Sequence, residues 1–135
     1  MTIALQYTNV TVSDVDEAIP FYDTLGLKVV NDVASGDFRW VTLGTDAQPG
    51  LGIVISAPHA GRSQADGDAM QELLTKGVLP IIVFSSDDVD ATFEALRASG
   101  AEVLQEPMDQ GWGPRDCAFR DPSGNTVRIS QQPRG

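Results

Sequence analysis

The chain has 135 residues, is 41% hydrophobic and carries a formal net charge of −10 from 9 basic and 19 acidic residues. This length suits one domain with a buried core, and the negative charge argues against a nucleic-acid partner because phosphates would be repelled. No apolar run reaches the ~18 residues of a membrane span, and residues 1–6 do not resemble a secretory signal. The single cysteine, Cys117, cannot form an internal disulfide, which predicts a reduced, cytoplasmic protein.

The first part of the chain predicts a strand, a helix and three more strands. Residues Tyr7 to Val12 alternate between two faces, with Val10 and Val12 on the apolar one. Ser13 or Asp14 can cap the helix that follows, and Gly26 is expected to end it. The three strands that come next are predicted at Leu27 to Val33, Phe38 to Leu43 and Leu51 to Ser56.

Residues 57–78 predict a connector, with a surface loop from Pro58 to Asp68 and a short helix from Ala69 to Lys76. In that helix Met70, Leu73 and Leu74 are expected to point inward. The remaining part predicts a strand from Pro80 to Ser85, a helix from about Val89 to Ala98, and strands near Val103, at Arg115 to Arg120 and at Thr126 to Ser130. The run from Asp121 to Asn125 has the residues of a tight turn between the last two strands, and not those of a catalytic centre.

The two parts repeat each other at a constant offset of 74 residues. Asp14-Val15-Asp16 recurs as Asp88-Val89-Asp90, and Gly26 recurs as Gly100. Residues Gly50, Ile53, Ile55 and Ser56 recur as Gly124, Val127, Ile129 and Ser130. A single offset that holds over so many positions indicates internal duplication.

The duplication predicts an α+β fold built from two βαβββ modules. The first module is expected at residues 1–56, the connector at 57–78 and the second module at 79–135, all within one structural domain. Together the strands are expected to form a curved mixed sheet whose concave face is a cup.

Short motifs in both modules carry a resemblance to a known family. They are Val12–Asp16, Phe21–Tyr22 and Leu25–Leu27 in the first module, and Asp88–Ala91, Ser99–Val103 and Trp112–Asn125 in the second. With the repeated βαβββ unit, they resemble the vicinal oxygen chelate superfamily, which contains glyoxalase I and the bleomycin-resistance proteins. The resemblance covers nearly the whole chain outside the connector. It implies the fold, but the function has to be argued from the site because one fold hosts many activities.

Enzymes of the family bind a divalent metal through four side chains, one from the first and one from the last strand of each module. By resemblance these positions are Tyr7, Val54, Ile81 and Arg128, and the 74-residue offset relates them as two pairs. Valine and isoleucine have no lone pair, arginine is a permanent cation and tyrosine is a rare ligand. The chain is therefore expected to hold no family metal and no cofactor.

Strand alternation predicts what the concave face carries instead. The aromatic residues Phe38, Trp40 and Trp112 are candidates for stacking on a planar ligand, or for packing in the cup or at a dimer interface. Asp116 and Arg128 are expected on the same face, either as a structural ion pair or as a group that holds an anionic or carbonyl-bearing ligand. The predicted ligand-binding residues are Tyr7, Phe38, Trp40, Val54, Trp112, Asp116 and Arg128.

These features favour a metal-free protein that sequesters a small molecule, planar or cationic. The resemblance to the antibiotic-binding relatives implies that it does so as a homodimer. An enzyme of the same superfamily, a lyase, dioxygenase or isomerase, is the alternative, and it needs a metal or an unrecognised acid–base pair. A regulatory protein that binds another protein through the open sheet is a third hypothesis. The only histidine, His59, and Cys117 are interpreted as an exposed loop residue and a buried thiol, not as a nucleophilic pair.

Overall fold

The structure is a computed structural model that describes residues 1–133. The last two residues of the predicted second module lie outside the described part. No helix of the described part is long and apolar enough to cross a membrane. The elements in chain order are β1 (Tyr7–Thr11), α1 (Val15–Thr24), β2 (Lys28–Ser35), β3 (Phe38–Gly44), β4 (Gly52–Ser56), α2 (Gln64–Lys76), β5 (Ile82–Ser86), α3 (Val89–Ala98), β6 (Glu102–Asp109), β7 (Arg115–Arg120) and β8 (Thr126–Gln131).

Each half of the chain forms its own four-stranded mixed sheet. The strand orders are β1-β4-β3-β2 and β5-β8-β7-β6, so the two sheets have the same topology. The first strand of each module pairs in parallel with the last one, and the other neighbours are antiparallel. The predicted α+β class with duplicated βαβββ modules is confirmed. Within residues 1–133 the sheet is divided into these two halves and is not closed, and the module boundaries at 56 and 79 stay a prediction.

Equivalent aspartates begin the helices of the two modules. The side chain of Asp14 accepts a hydrogen bond from the backbone N–H of Glu17 at the start of α1, and Asp88 accepts one from Ala91 at the start of α3. Each carboxylate satisfies an N–H group that has no partner within the helix, and its charge suits the positive end of the helix dipole. After α1 the chain turns at Gly26, which has a φ of 90°. This is the left-handed conformation that glycine adopts without strain.

The connector contains a longer helix than the sequence predicts. Helix α2 begins at Gln64 and not at Ala69, because Ser63 caps it through a hydrogen bond from the N–H of Asp66. The prediction of a loop up to Asp68 is therefore wrong in its second half. Leu74 is buried as expected, whereas Leu73 is exposed.

One hydrophobic core joins the helix-facing sides of both sheets. The alternation correctly assigns its strand residues, and helices α1 and α3 contact each other within the same core. Since each sheet turns its helix-facing side inward, its other side, here called the open face, is left uncovered by the part of the chain that the structure describes. On the apolar side of the strand alternation, the buried residues are Val10, Val12, Ile53, Ile55, Val127 and Ile129, and the partly buried ones are Ile82 and Phe84.

A buried polar network also holds the modules together. The Tyr22 hydroxyl on α1 donates to Asp121 Oδ2 at 2.6 Å, and the amide Nδ2 of Asn125 donates both to that oxygen and to the carbonyl of Thr11. The other oxygen of Asp121 accepts three backbone N–H groups of the β7–β8 turn. The Asp121–Asn125 run is thus the predicted turn, and it is in addition a junction between the modules.

Candidate functional site

The open face of the first sheet carries a diagonal row of apolar and aromatic side chains. Tyr7 on β1 is opposite Gly52 on β4, and Val54 lies two residues further along β4 on the same face. Val54 is opposite Thr42 on β3, and Trp40 lies two residues before Thr42. Tyr7, Val54 and Trp40 therefore cross three adjacent strands, as alternation predicts. Phe38 has the same orientation at the beginning of β3 and is half-buried, as Trp40 and Val54 are.

A cavity of about 550 Å³ opens beside Tyr7. First-module residues alone line it, including the loop between β3 and β4. Gly52 lines this cavity and lies close to the neighbouring strand β3. An added Cβ at Gly52 would lie 3.0 Å from the carbonyl oxygen of Leu43 and from Cγ2 of Thr42. Apart from Tyr7, none of its lining residues is among the ligand-binding residues predicted from the sequence. The closely spaced Gly44, Gly50 and Gly52 were the available signal, since glycine within a strand often marks a close approach of backbone or ligand.

The open face of the second sheet is polar where the first is aromatic. Arg128 on β8 is opposite Ala118 on β7, and Asp116 lies two residues before Ala118 on the same face. Arg128 Nη1 donates to Asp116 Oδ2 at 3.0 Å, so the predicted ion pair is present. Two glutamine side chains that the sequence analysis missed complete the cluster: Gln105 and Gln110 donate to Asp116 Oδ1 at 2.9 and 2.8 Å.

Asp116 is deeply buried but remains ionised in this cluster. Its side chain is 1% exposed, and the burial by itself would raise its pKa. The hydrogen bonds from Gln110, Gln105 and Arg128, with the charge of the guanidinium, outweigh the burial and hold the pKa of Asp116 below its usual value. The carboxylate is therefore a fixed anion that positions Arg128.

The predicted site residue Trp112 and the mapped metal position Ile81 are at the margin of the second open face. Trp112 lies in the turn between β6 and β7 and is 77% exposed, without an aromatic neighbour among the described residues. Ile81 immediately precedes β5 and is also exposed. The structure thus groups Tyr7, Trp40 and Val54 on one open face, and Trp112 is placed with the other module.

The four positions that hold metal in family enzymes do not fit a metal in this chain. In the first module Tyr7 lies on β1 and Val54 lies on the adjacent strand β4. In the second module Ile81 immediately precedes β5 and Arg128 lies on the adjacent strand β8, so the two pairs occupy equivalent places. Their side chains offer one phenol oxygen, two hydrocarbons and a cation, whereas zinc, iron and manganese require several imidazole, thiolate or carboxylate donors. In the described residues no three His, Cys, Asp or Glu side chains converge elsewhere.

His59 and Cys117 have separate surroundings. His59 Nε2 lies 2.8 Å from Asp68 Oδ1 and 3.3 Å from the amide of Gln64, all within the connector. Cys117 is buried in the core, where desolvation first and the charge of Asp116 second raise the pKa of its thiol to about 11. A thiol with this pKa is protonated and unreactive at neutral pH.

Comparison with known proteins gives a family and several relatives of the same length. Residues 4–129 match the model of the Glyoxalase/Bleomycin resistance protein/Dioxygenase superfamily. The crystal structure of UcmS2 has a TM-score of 0.85 at 30% sequence identity, with 96% of this chain and 98% of that chain covered. TnmS3, an antibiotic binding protein from Streptomyces sp. CB03234, has a TM-score of 0.75 at 26% identity, with 98% and 99% covered.

A curated relative agrees with these structures in length. The uncharacterized protein YurT of Bacillus subtilis is 29% identical over 127 residues, which are 93% of this chain and 96% of YurT. The match to the family model extends from the strand that carries Tyr7 to the strand that carries Arg128, and so includes both open faces. The chain belongs to the Glyoxalase/Bleomycin resistance protein/Dioxygenase superfamily.

Proposed function

We propose that this protein binds a planar small molecule without a metal and acts by sequestering it. The observation that carries the proposal is the open face of the first sheet, where Tyr7 and Trp40 flank Val54 at a position that supplies a metal ligand in family enzymes. Apolar walls with a few placed polar groups are typical of small-molecule sites, and aromatic rings stack on planar ligands. The similarity to TnmS3, an antibiotic binding protein, supports a ligand of antibiotic type.

We further propose a homodimer in which two chains complete two pockets. Each chain exposes apolar residues on both open faces: Tyr7 is 50% exposed and Val83 is 62% exposed. Strands β1 and β5 are also at the edges of their sheets, with one side unpaired in the described chain. Pairing the first module of one chain with the second module of its partner covers these surfaces and places an aromatic face opposite a polar one.

The charge of the chain supports a basic or neutral ligand over a polyanion. A net charge of −10 attracts cations and repels phosphates, so we propose a planar or cationic ligand and no nucleic-acid partner. We place the protein in the cytoplasm, since its only cysteine is a free thiol that a reducing compartment preserves.

The proposal is tested by measuring thermal stability with a panel of planar antibiotics, because a ligand that binds the native state raises the melting temperature. Trp40→Ala and Trp112→Ala are each expected to weaken binding by roughly 1–3 kcal/mol if their rings stack on the ligand. Leu73→Ala, which removes an exposed apolar side chain from α2, is the control and should bind like the wild type. Unchanged affinity in both tryptophan variants would overturn the stacking model.

The enzyme alternative is tested on the same purified protein with added zinc, iron or manganese. The open-face side chains predict no stoichiometric metal and no increase in melting temperature. Stoichiometric binding of any of these metals, with a clear increase, would contradict the metal-free proposal and favour a lyase or dioxygenase.

A further inference from the structure

Arg128 is fixed in place by a buried acceptor. Both of its described hydrogen bonds use Nη1, which donates to Asp116 Oδ2 at 3.0 Å and to Gln105 Oε1 at 3.2 Å. Gln105 and Gln110 in turn donate to the other oxygen of Asp116. Because the Asp116 carboxylate is almost fully buried, movement of the guanidinium away from it would leave an uncompensated charge in the protein interior.

The rest of the guanidinium meets no acceptor among the described residues. Among residues 1–133 neither Nε nor Nη2 of Arg128 has a hydrogen-bond partner, although the side chain is only 31% exposed. The side chains directly opposite on the neighbouring strands are those of Val83 and Ala118, which cannot accept a hydrogen bond. A guanidinium has five N–H donors in a rigid plane, so donors remain, already oriented, on the open face.

Charge balance indicates which acceptor fits. Asp116 already neutralises Arg128, so a carboxylate would add an unpaired charge to a chain whose net charge is −10. A neutral carbonyl oxygen takes up the remaining donors and leaves the pair balanced. We infer that Arg128 binds the carbonyl oxygen of a planar ketone or quinone, while the aromatic face of the first module of the partner chain in the proposed dimer stacks on the ring system. This inference rests on the proposed function and specifies its ligand class.

The test uses three planar probes that differ in one group: fluorene, 9-fluorenone and fluorene-2-carboxylate, with binding followed by quenching of tryptophan fluorescence. The wild type is expected to bind fluorenone tightest. Arg128→Met, which keeps an unbranched apolar stem but removes the guanidinium, should weaken fluorenone binding roughly tenfold or more and leave fluorene binding unchanged, since a hydrogen bond to a charged donor is lost. Arg115→Met is the matched control, because Arg115 pairs with Asp90 on the helix-facing side and should not affect binding.

A second variant keeps the test independent of the folding of Arg128→Met. Asp116→Asn retains Arg128 but removes its counter-charge, so it should shift the preference from fluorenone towards fluorene-2-carboxylate by several-fold. Equal affinity of the wild type for fluorene and fluorenone, or a wild-type preference for the carboxylate, would overturn the inference and leave the proposed function intact. Failure of all three probes to bind would count against the proposed function itself.

Discussion

Replacement of Tyr22 by phenylalanine removes a single oxygen atom from the buried junction between the modules. The hydroxyl donates to Asp121 Oδ2 at 2.6 Å, and the ring is completely buried, so water cannot replace the lost donor. The same carboxylate oxygen keeps the hydrogen bond from Asn125, and the ring volume is unchanged. A hydrogen bond to a charged group contributes about 1.5–3 kcal/mol, and we expect Tyr22→Phe to lower the free energy of unfolding by about 2 kcal/mol. For a chain of this length that is a decrease of roughly 6 °C in Tm.

The pH dependence of this loss in stability tests the hydrogen bond between Tyr22 and Asp121 more specifically. Burial first, and then the charge and the hydrogen bond of Asp121, raise the pKa of Tyr22 far above its ordinary value of 10.0. Because the folded-state pKa is the higher one, the stabilisation is fully present below pH ~10 and is lost as the pH rises above it, by about 1.4 kcal/mol per pH unit. The difference between the wild type and Tyr22→Phe should therefore decrease from about 2 kcal/mol at pH 8 to below about 1 kcal/mol at pH 11.

Urea unfolding at pH 8 and pH 11, followed by circular dichroism at one protein concentration, measures both values. Tyr7→Phe is the matched control, because Tyr7 is the other tyrosine of the chain and is half exposed, so its stability should equal that of the wild type. If Tyr22→Phe is as stable as the wild type at pH 8, or if the difference is the same at both pH values, the hydroxyl is not a buried donor to Asp121.

Two other perturbations test the connector and the polar cluster. An added Cβ at Gly67 would overlap the imidazole ring of His59, so Gly67→Ala should lower the free energy of unfolding by roughly 1–3 kcal/mol. His59→Ser should restore most of this stability in the double variant, and a full loss in the double variant would contradict the contact. Hydrogen bonds and Arg128 keep the folded-state pKa of Asp116 below its unfolded value, so its stabilisation is present above pH ~4 and lost as the pH falls through the folded-state pKa. The stability deficit of Asp116→Asn should accordingly shrink between pH 7 and pH 3, and a constant deficit in urea titrations would refute this.

Sequence periodicity predicts the sheets well because each strand has one buried side. Alternation places Val10 and Ile55 in the core and Trp40 on the opposite face, and a slip of one residue would have exchanged the two sides. The Asp116–Arg128 pair follows from the same alternation across β7 and β8. Local rules are sufficient for these strands since their pairing is regular.

The rest of the site depends on contacts that alternation does not specify. Strand β6 has register irregularities on both sides of Gln105, so the orientation of Gln105 cannot be obtained by counting residues. The start of α2 contains Gly67 and polar residues with modest helix propensity, and it is fixed by the Ser63 cap and by the packing of His59. The hydrogen bond between Tyr22 and Asp121 joins residues 99 positions apart and has no local signal.

The two modules share the side chains that attach each helix to its sheet, but they differ in the side chains of their open faces. In each module an arginine of the third strand pairs with an aspartate of the helix, Arg39 with Asp16 at 2.8 Å and Arg115 with Asp90 at 2.9 Å. These pairs lie on the helix-facing side, where in both modules they attach the helix to the sheet.

On the open faces the equivalent positions have diverged instead. The strand registers place Trp40 where the second module has Asp116, and Val54 where it has Arg128. If the open faces only covered one another, two similar apolar surfaces would serve, and a buried ion pair would add a desolvation cost without need. One aromatic face and one polar face suit the proposed ligand, in which a ring system would stack on the first and an oxygen atom would bind to the second. The contrast between the duplicated halves therefore supports the proposed ligand binding over a purely structural interface.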